Sequence, residues 1–163
     1  MKKIFILLLI LITTIFANIY NFTETRYSEA LDKNTTLHGK ISFNDFGLKI
    51  SYNNGKTIIY DNGELNISEN GEPVTLNIKQ KAGIIRYLDT IMLLHMGDKL
   101  LLEESFDIEQ KSPEVSHIIP KDSPMKNFIE SIELEKRDKK IKEIAIKLKN
   151  KDIIIIRIDN EIR

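Results

Sequence analysis

The 163-residue sequence contains no cysteine. It therefore cannot build a disulfide framework, a thiolate metal site or a thiol nucleophile, and no lipidated cysteine can stand at a mature N-terminus. The chain is not itself a bacterial lipoprotein. An excess of charge is missing too, since 24 Lys and Arg balance 24 Asp and Glu. With no net charge there is no long-range field to hold a polyanion, which argues against bulk nucleic-acid binding. Tryptophan is also absent, and Phe and Tyr supply the 7% aromatic content. What is present is enough apolar material for a core, 42% of residues, so a solvated coil is excluded and the length suits one domain.

The signatures of catalysis are lacking as well. There is no Gly-x-Ser-x-Gly elbow, phosphate loop, dinucleotide fingerprint or His-Glu-x-x-His. His38, His95 and His117 are not spaced to hold a metal or to place a base beside a nucleophile. Glu103-Glu104 and Glu133/Glu135 are neighbours that face apart on a helix or share one solvated face of a strand, an arrangement unsuited to acid/base work. The expectation is a protein that is not an enzyme and needs no metal or cofactor.

Met1-Lys2-Lys3, the apolar run Ile4 to Phe16 and then Ala17 form a positive n-region, an h-region and a small residue at a cleavage position. This is the pattern of a secretory signal peptide over residues 1–17. The run is shorter than the roughly 20 apolar residues that a membrane span requires. Cleavage after Ala17 removes Lys2 and Lys3, leaving 22 basic residues against 24 acidic ones over residues 18–163. The abundance of Ile, Lys and Asn suggests a bacterium with an AT-rich genome, where Sec export leads to the periplasm.

From Asn21 to Ile78 apolar and polar residues alternate, the period of strands buried on one face. Leu37, Gly39, Ile41 and Phe43 share a face; so do Phe46, Leu48, Ile50 and Tyr52; then Leu65 and Ile67; then Val74, Leu76 and Ile78. Asn44-Asp45, Asn53-Asn54-Gly55, Asp61-Asn62-Gly63 and Asn70-Gly71-Glu72-Pro73 are turn chemistry between them, so the strands are hairpin-linked and antiparallel. An earlier strand is predicted over Phe22 to Ala30, with a turn at Asp32-Lys33-Asn34. At Ala82 the period changes to three and four, through Ile84, Leu88, Ile91, Met92 and His95, predicting a helix that ends near Gly97. Asp98 caps a second, short helix. Strands are then predicted over Phe106–Gln110, Val115–Ile119, Phe128–Lys136, Ile141–Lys149 and Ile153–Asp159. The sum is a mainly β, α+β fold: one antiparallel sheet of about eleven strands, large enough to curl, with one helical insertion. Ile153 to Ile156 followed by Ile158 predicts a last strand covered on both faces, by a helix or as the centre of a sandwich.

The charge run from Glu135 to Glu143, followed by Lys147, Lys149 and Lys151, reads as a solvated hairpin. Its sharper reading is a docking patch at Lys147 and Lys149 for an acidic partner or anionic headgroups, if these lysines line a sheet edge. Met92 and Met96 could fill a core or line a surface that repacks around variable apolar ligands.

In order and kind these features resemble the outer-membrane lipoprotein carrier family, LolA, and its shorter LolA-like branch, over essentially all of residues 18–163. Phe22-Thr23-Glu24 resembles the family's opening Phe-x-Gln, Gly39-Lys40-Ile41-Ser42-Phe43 its glycine-led second strand, and Asp61-Asn62-Gly63 its Asp-Gly hairpin. The helical segment after the sixth strand, a strand ending near Pro120 and the Ile-rich final strands follow in the family's order. Lys49-Ile50 stands where the family commonly has Arg-Trp, so Lys49 would meet the lid without the forked hydrogen bonds of an arginine. Only Asn18 to Asn21 precede the first strand, so the family's N-terminal helix is nearly absent.

The resemblance implies an incomplete barrel covered by helices, whose apolar cavity shields lipoprotein acyl chains on the way from the inner to the outer membrane. At about 0.8 kcal/mol per methylene, a sixteen-carbon chain gains about 12 kcal/mol on leaving water, so transit requires a shield. The inward face expected to bind lipid comprises Leu37, Ile41 and Phe43; Leu48 and Ile50; Leu65 and Ile67; and, from the helix, Leu88, Ile91, Met92 and Met96. Expected partners are the acylated cargo, an inner-membrane transporter of ABC or another type and an outer-membrane acceptor, with the carrier a monomer. Two alternatives share the fold: an accessory carrier for another exported acyl or polyene lipid, and a sensor or interaction module whose interior is filled by its own side chains.

Overall fold

Two meanders meet where the first and last strands pair. In the computed structural model, which describes residues 18–162, the first meander is β1 (Ile19–Ser28), β2 (Lys33–Phe43), β3 (Gly47–Tyr52), β4 (Lys56–Asp61), β5 (Glu64–Glu69) and the two-residue β6 (Glu72–Pro73). The second is β7 (Phe106–Gln110), β8 (Val115–Pro120), β9 (Ile129–Arg137), β10 (Lys140–Leu148) and β11 (Ile153–Ile162). Antiparallel pairing of β1 with β11, from Ile19 opposite Ile162 to Tyr27 opposite Ile153, joins them. The result is one open, curved, eleven-stranded antiparallel sheet in the order β6-β5-β4-β3-β2-β1-β11-β10-β9-β8-β7. Its edges are short or punctuated, with Pro73 in β6 at one side, a residue tolerated where no ladder partner is needed. The expected mainly β fold with a helical insertion is the fold observed. The predicted signal peptide over residues 1–17 lies outside the described residues.

The turns follow from residues that accept positive φ. Asn62-Gly63 (φ 49° and 80°) and Asn70-Gly71 (52° and 88°) make two-residue hairpin turns. The charged run turns the same way at Asp138-Lys139 (51° and 64°), so it is the solvated β9–β10 hairpin. Gly39 is required for another reason. A Cβ there would lie 2.3 Å from the Ser51 carbonyl oxygen and 2.9 Å from the Phe22 ring, so only a bare backbone lets Phe22 pack across β2.

Between β6 and β7 the chain forms α1 (Ile78–Met96) and α2 (Lys99–Ser105), and a single turn, α3 (Ser123–Lys126), follows β8. The predicted strand through Val74, Leu76 and Ile78 does not form, and the helix begins four residues before Ala82. A capping box overrides the alternation: the Asn77 side chain accepts from the Gln80 amide at 2.9 Å, and the Gln80 side chain accepts from the Asn77 amide at 3.1 Å. At its other end Gly97 is left-handed (φ 65°) and its amide donates to the Leu93 carbonyl, the expected stop. Asp98 caps α2 as expected, accepting from the Leu100 and Leu101 amides. The first strand begins at Ile19, three residues before the predicted start, and the turn falls before Lys33 rather than at Asp32–Asn34.

α1 lies on the inward face of the sheet. Leu88, Ile91, Met92 and Leu94 are buried in one cluster with Phe22, Ile41, Phe43, Leu48 and Ile50 from the first meander and Ile132, Leu134, Ile144 and Ile146 from the second. β11 departs from expectation. Ile156 and Ile158 are buried inward, but Ile153 and Ile155 on the other face are only half-buried, beside Tyr27, Thr25 and Ala145. No second layer covers them among the described residues. Neighbouring side chains on a twisted sheet shelter them partly, so the apolar run marks a central strand and not a strand with two covered faces.

Candidate functional site

The two halves of α1 meet the sheet differently. Below the second half, from Leu88 to His95, side chains fill the space. Below the first half the sheet and helix part around a cavity of about 440 Å³. Gly83, Ile84, Arg86 and Tyr87 roof it from α1, Arg26 and Ile154 floor it from β1 and β11, and Leu148 borders it at the end of β10. Met125 and the segment Asn127–Ile129, leading from α3 into β9, make the remaining wall, with Lys149 and Asn150 beyond β10. Asn127, Phe128, Lys149 and Asn150 are exposed, which places the mouth there, while Ile84, Met125, Leu148 and Ile154 are half-buried and Ile129 buried. The volume falls in the range of about 300–1,000 Å³ typical of small-molecule sites.

At the cavity β1 carries a charged pair on its inward face, where the neighbouring stretch of sheet under the second half of α1 carries aliphatic and aromatic residues. The inward positions of β1 are Phe22, Glu24 and Arg26. Glu24, only 1% exposed, is ion-paired to the Arg26 guanidinium and accepts a hydrogen bond from the Tyr52 hydroxyl at 2.8 Å. Burial works against the Arg26 charge, and the adjacent Glu24 carboxylate outweighs it, so the guanidinium pKa lies above its ordinary value. Burial, then the Glu24 charge, raises the pKa of Tyr52. Tyr87 reaches down from α1 toward the same group. Burial, then the Glu24 charge, pushes its pKa well up, and its hydroxyl, shut off from solvent, is close to Glu24 but makes no well-formed hydrogen bond to any described residue. At the mouth the Arg86 guanidinium lies over the Phe128 ring, 5.2 Å from its centre.

A smaller crevice of about 110 Å³ lies at the other end of α1, bordered by Phe43, His95, Ile158 and the lysines 136, 139 and 140. The His95 and Phe43 rings stack there, 8° from parallel with centres 3.6 Å apart. Burial, then the Lys136 charge, lowers the His95 pKa below its ordinary value. Between the two spaces Tyr60 of β4 donates a hydrogen bond to Asp89 of α1, and burial followed by that bond pushes its pKa up to about 12.

None of the residues expected to contact lipid lines the large cavity. Ile41, Phe43, Leu48, Ile50, Ile67, Leu88, Ile91 and Met92 are inward as alternation predicts, but they are packed core. Leu37 and Leu65 are half-buried against that core, and Met96, beyond the packed turn of α1, is 55% exposed. Alternation identifies the inward face and carries no information about whether that face is filled. Lys49 is exposed on the face of β3 opposite Leu48 and Ile50, turned away from α1, so the structure brings it to no lid. Lys147 is on an interior strand, between β9 and β11, where it ion-pairs with Glu130 at 2.7 Å. The premise of an edge patch therefore does not hold, and Lys149 sits at the cavity mouth instead.

His38 is exposed, its ring hydrogen-bonded to Thr23 on the outer face, and His117 is half-buried on that face between Glu109 and Glu133 in the strand register. The residues that sequence reasoning missed are Arg26, Arg86, Tyr87, Met125, Phe128, Leu148 and Ile154. One signal pointed to them: Glu24 and Arg26 occupy the inward parity of β1, where a charged pair cannot pack like a leucine. Among the described residues no group of three or more His, Asp or Glu could hold a metal ion, and no helix is long and apolar enough to cross a membrane.

No family model matches the sequence, and no curated protein matches it. Among solved structures the chain is similar to a LolA superfamily protein from Nitrosomonas europaea, at 8% identity and a TM-score of 0.43, over 90% of this chain and 86% of that one. A likeness of that depth carries no argument for what the cavity holds.

Proposed function

We propose that the protein is a periplasmic carrier that shelters one acyl chain of a lipoprotein or other exported lipid in the cavity under the first half of α1. The observation that carries this reading is the hollow itself: about 440 Å³, walled by Ile84, Met125, Ile129, Leu148 and Ile154, beside a packed cluster of buried side chains under the second half of α1. Burying a tail there removes apolar surface from water at about 25 cal/mol per Å² and needs no bond-making. α1 is anchored by its second half, so its first half can rise while the packed half holds. Movement of that half would trade its packing against the neighbouring core for contacts with the ligand, and this competition limits affinity and permits handover. The signal-peptide pattern and the sequence resemblance support placing this exchange between two membranes, with an inner-membrane transporter as donor and an outer-membrane acceptor as recipient.

The test uses Gly83, which faces the cavity with no atom within 4 Å of where a Cβ would stand. The purified protein should bind a fluorescent fatty-acid probe saturably, and Gly83→Phe should abolish binding without lowering the melting temperature. Failure of the parent protein to bind the probe, or undiminished binding by the filled variant, overturns the proposal.

A further inference from the structure

The two edges of the sheet are not alike. β6 is two residues long and ends in Pro73, but β7 runs for five residues, Phe106–Gln110, with neither proline nor lysine in it. An edge without such breaks presents unpaired main-chain groups to any chain that can lie alongside. The register shows which groups these are. The Lys121 amide donates to the Ser105 carbonyl and the Lys111 amide to the Val115 carbonyl, both at 2.9 Å. Ser105, Asp107, Glu109 and Lys111 therefore face β8 with their main-chain groups, and alternation turns the N–H and C=O of Ile108 and Gln110 to the open edge. The Phe106 amide is taken by the Leu102 carbonyl at the end of α2. Residues 107–110 are all exposed, so nothing among the described residues covers this edge. Ile108 also lacks a neighbour on its open side: it is 40% exposed, whereas Ile118, opposite it on β8, is 1% exposed.

We propose that the open edge of β7 receives an extended segment of a partner protein, in which basic residues alternate with apolar ones. The main chain of that segment continues the ladder, which is strand addition at a sheet edge. Its apolar residue lies opposite Ile108 on the inner face, and its basic residues lie opposite Asp107 and Glu109 on the outer face. A second copy of this chain does not fit. Twofold pairing of β7 with itself is antiparallel, and each register that pairs three or more of its residues sets acid against acid: Asp107 opposite Glu109, or either one opposite its own copy. The neighbourhood is acidic as well. From Lys99 to Lys121, Glu103, Glu104, Asp107, Glu109 and Glu114 stand against only three lysines. Lys111 pairs with Glu109 at 2.7 Å and Lys121 with Asp107 at 3.4 Å, but all four side chains are at least 41% exposed. Pairs so exposed are weak and yield to a partner's ammonium. No residue of β7 lines the large cavity, and the inference does not rest on the carrier reading.

The experiment is an NMR titration of the protein with the peptide Thr-Val-Lys-Val-Lys-Val-Thr, capped at both ends. Set antiparallel to β7, it places its central valine opposite Ile108 and its lysines opposite Asp107 and Glu109. The peptide should shift the Ile108 and Gln110 amide resonances saturably and slow their exchange with solvent. The same peptide with both lysines replaced by glutamate should bind at least about fivefold more weakly, because attractive cross-strand pairs become repulsive. Methylating the valine amide nitrogens, the donors that face β7, should abolish the shifts. Ile108→Pro, which removes an edge amide that β8 does not use, should abolish binding too. If that variant does not fold, the methylated peptide makes the same test. Gly83→Phe should leave the titration unchanged, so failure here and failure of the carrier reading are separate results. The proposal is overturned by the absence of saturable shifts at Ile108 and Gln110, by equal binding of the lysine and glutamate peptides, or by undiminished binding of the methylated one. Protection of both amides that grows with protein concentration, without peptide, overturns it as well and assigns the edge to a second copy.

Discussion

The first and second halves of α1 are one continuous helix on one sheet, yet the second is sealed and the first stands over a hollow. Leu88, Ile91 and Leu94 are at most 1% exposed. Ile84 and Tyr87, one turn earlier on the same stripe, are only half-buried. The stripe is continuous, so the difference comes from what the sheet presents. Under the second half it presents buried apolar side chains, Phe43 stacked on His95 among them. Under the first half β1 presents Glu24 and Arg26, which bond to each other and to Tyr52 and leave the helix unsupported beside them. A packed interior and a binding cavity thus differ by two polar side chains on one strand.

The largest test of this comparison is truncation on either side of it. Leu88→Ala should cost about 2–5 kcal/mol, because it opens a void in a filled interior. Ile84→Ala should cost less than about 1 kcal/mol, because it enlarges a void that already exists. Urea unfolding of both variants reads the difference, and equal losses would mean that the cavity is closed in solution.

Next in size is the charged pair. Tyr52→Phe deprives the buried Glu24 carboxylate of its hydroxyl donor and should cost about 1–3 kcal/mol. Tyr87→Phe, applied to a buried hydroxyl with no well-formed hydrogen bond among the described residues, should be neutral or stabilising. Should Tyr87→Phe cost as much as Tyr52→Phe, both hydroxyls bond to Glu24 in solution and the first half of α1 is held down more firmly than the geometry indicates.

The same contrast explains what could be read from the sequence. Period two and turn chemistry locate nine of the eleven strands, with β4 only bracketed by its two turns, because each strand wets one face, and Gly97 and Asp98 mark the break between α1 and α2 because capping is local. The strand over Val74–Ile78 failed because three alternating residues carry less weight than the two reciprocal hydrogen bonds of Asn77 and Gln80. The cavity was misplaced for a different reason. Its walls come from β1, α1, the α3–β9 segment and the β10–β11 corner, which are distant in sequence and converge only because β1 pairs with β11. Parity along one strand places Ile50 inward but cannot show that Leu88 fills the space above it.

Gly83→Ala should have a smaller effect, in the opposite direction. Gly83 is interior to α1 and a methyl there would meet nothing within 4 Å, so the change should stabilise the protein by about 0.5–1 kcal/mol through helix propensity. Its methyl group is too small to fill the cavity, so probe binding should persist, in contrast to Gly83→Phe. Destabilisation by Gly83→Ala would indicate that the first half of α1 packs more closely on the sheet than the hollow allows.

The smallest effect belongs to the sealed end, where His95 stacks on Phe43 beside Lys136. Burial first, and the Lys136 ammonium second, set its folded pKa below 6.5. In the window between that value and 6.5 the unfolded chain binds a proton that the folded chain does not, so stability falls as pH drops through it and is not recovered at lower pH. Melting temperatures from pH 7.5 to 5.5 should therefore decline more steeply for the parent protein than for His95→Phe, which keeps a ring against Phe43 and cannot titrate. An NMR titration of His95 should show Lys136→Met moving its pKa only part of the way back toward 6.5, because burial supplies the larger share. A pKa restored in full would mean that water reaches the imidazole through the crevice, and that the second half of α1 is less sealed than the first half makes it look.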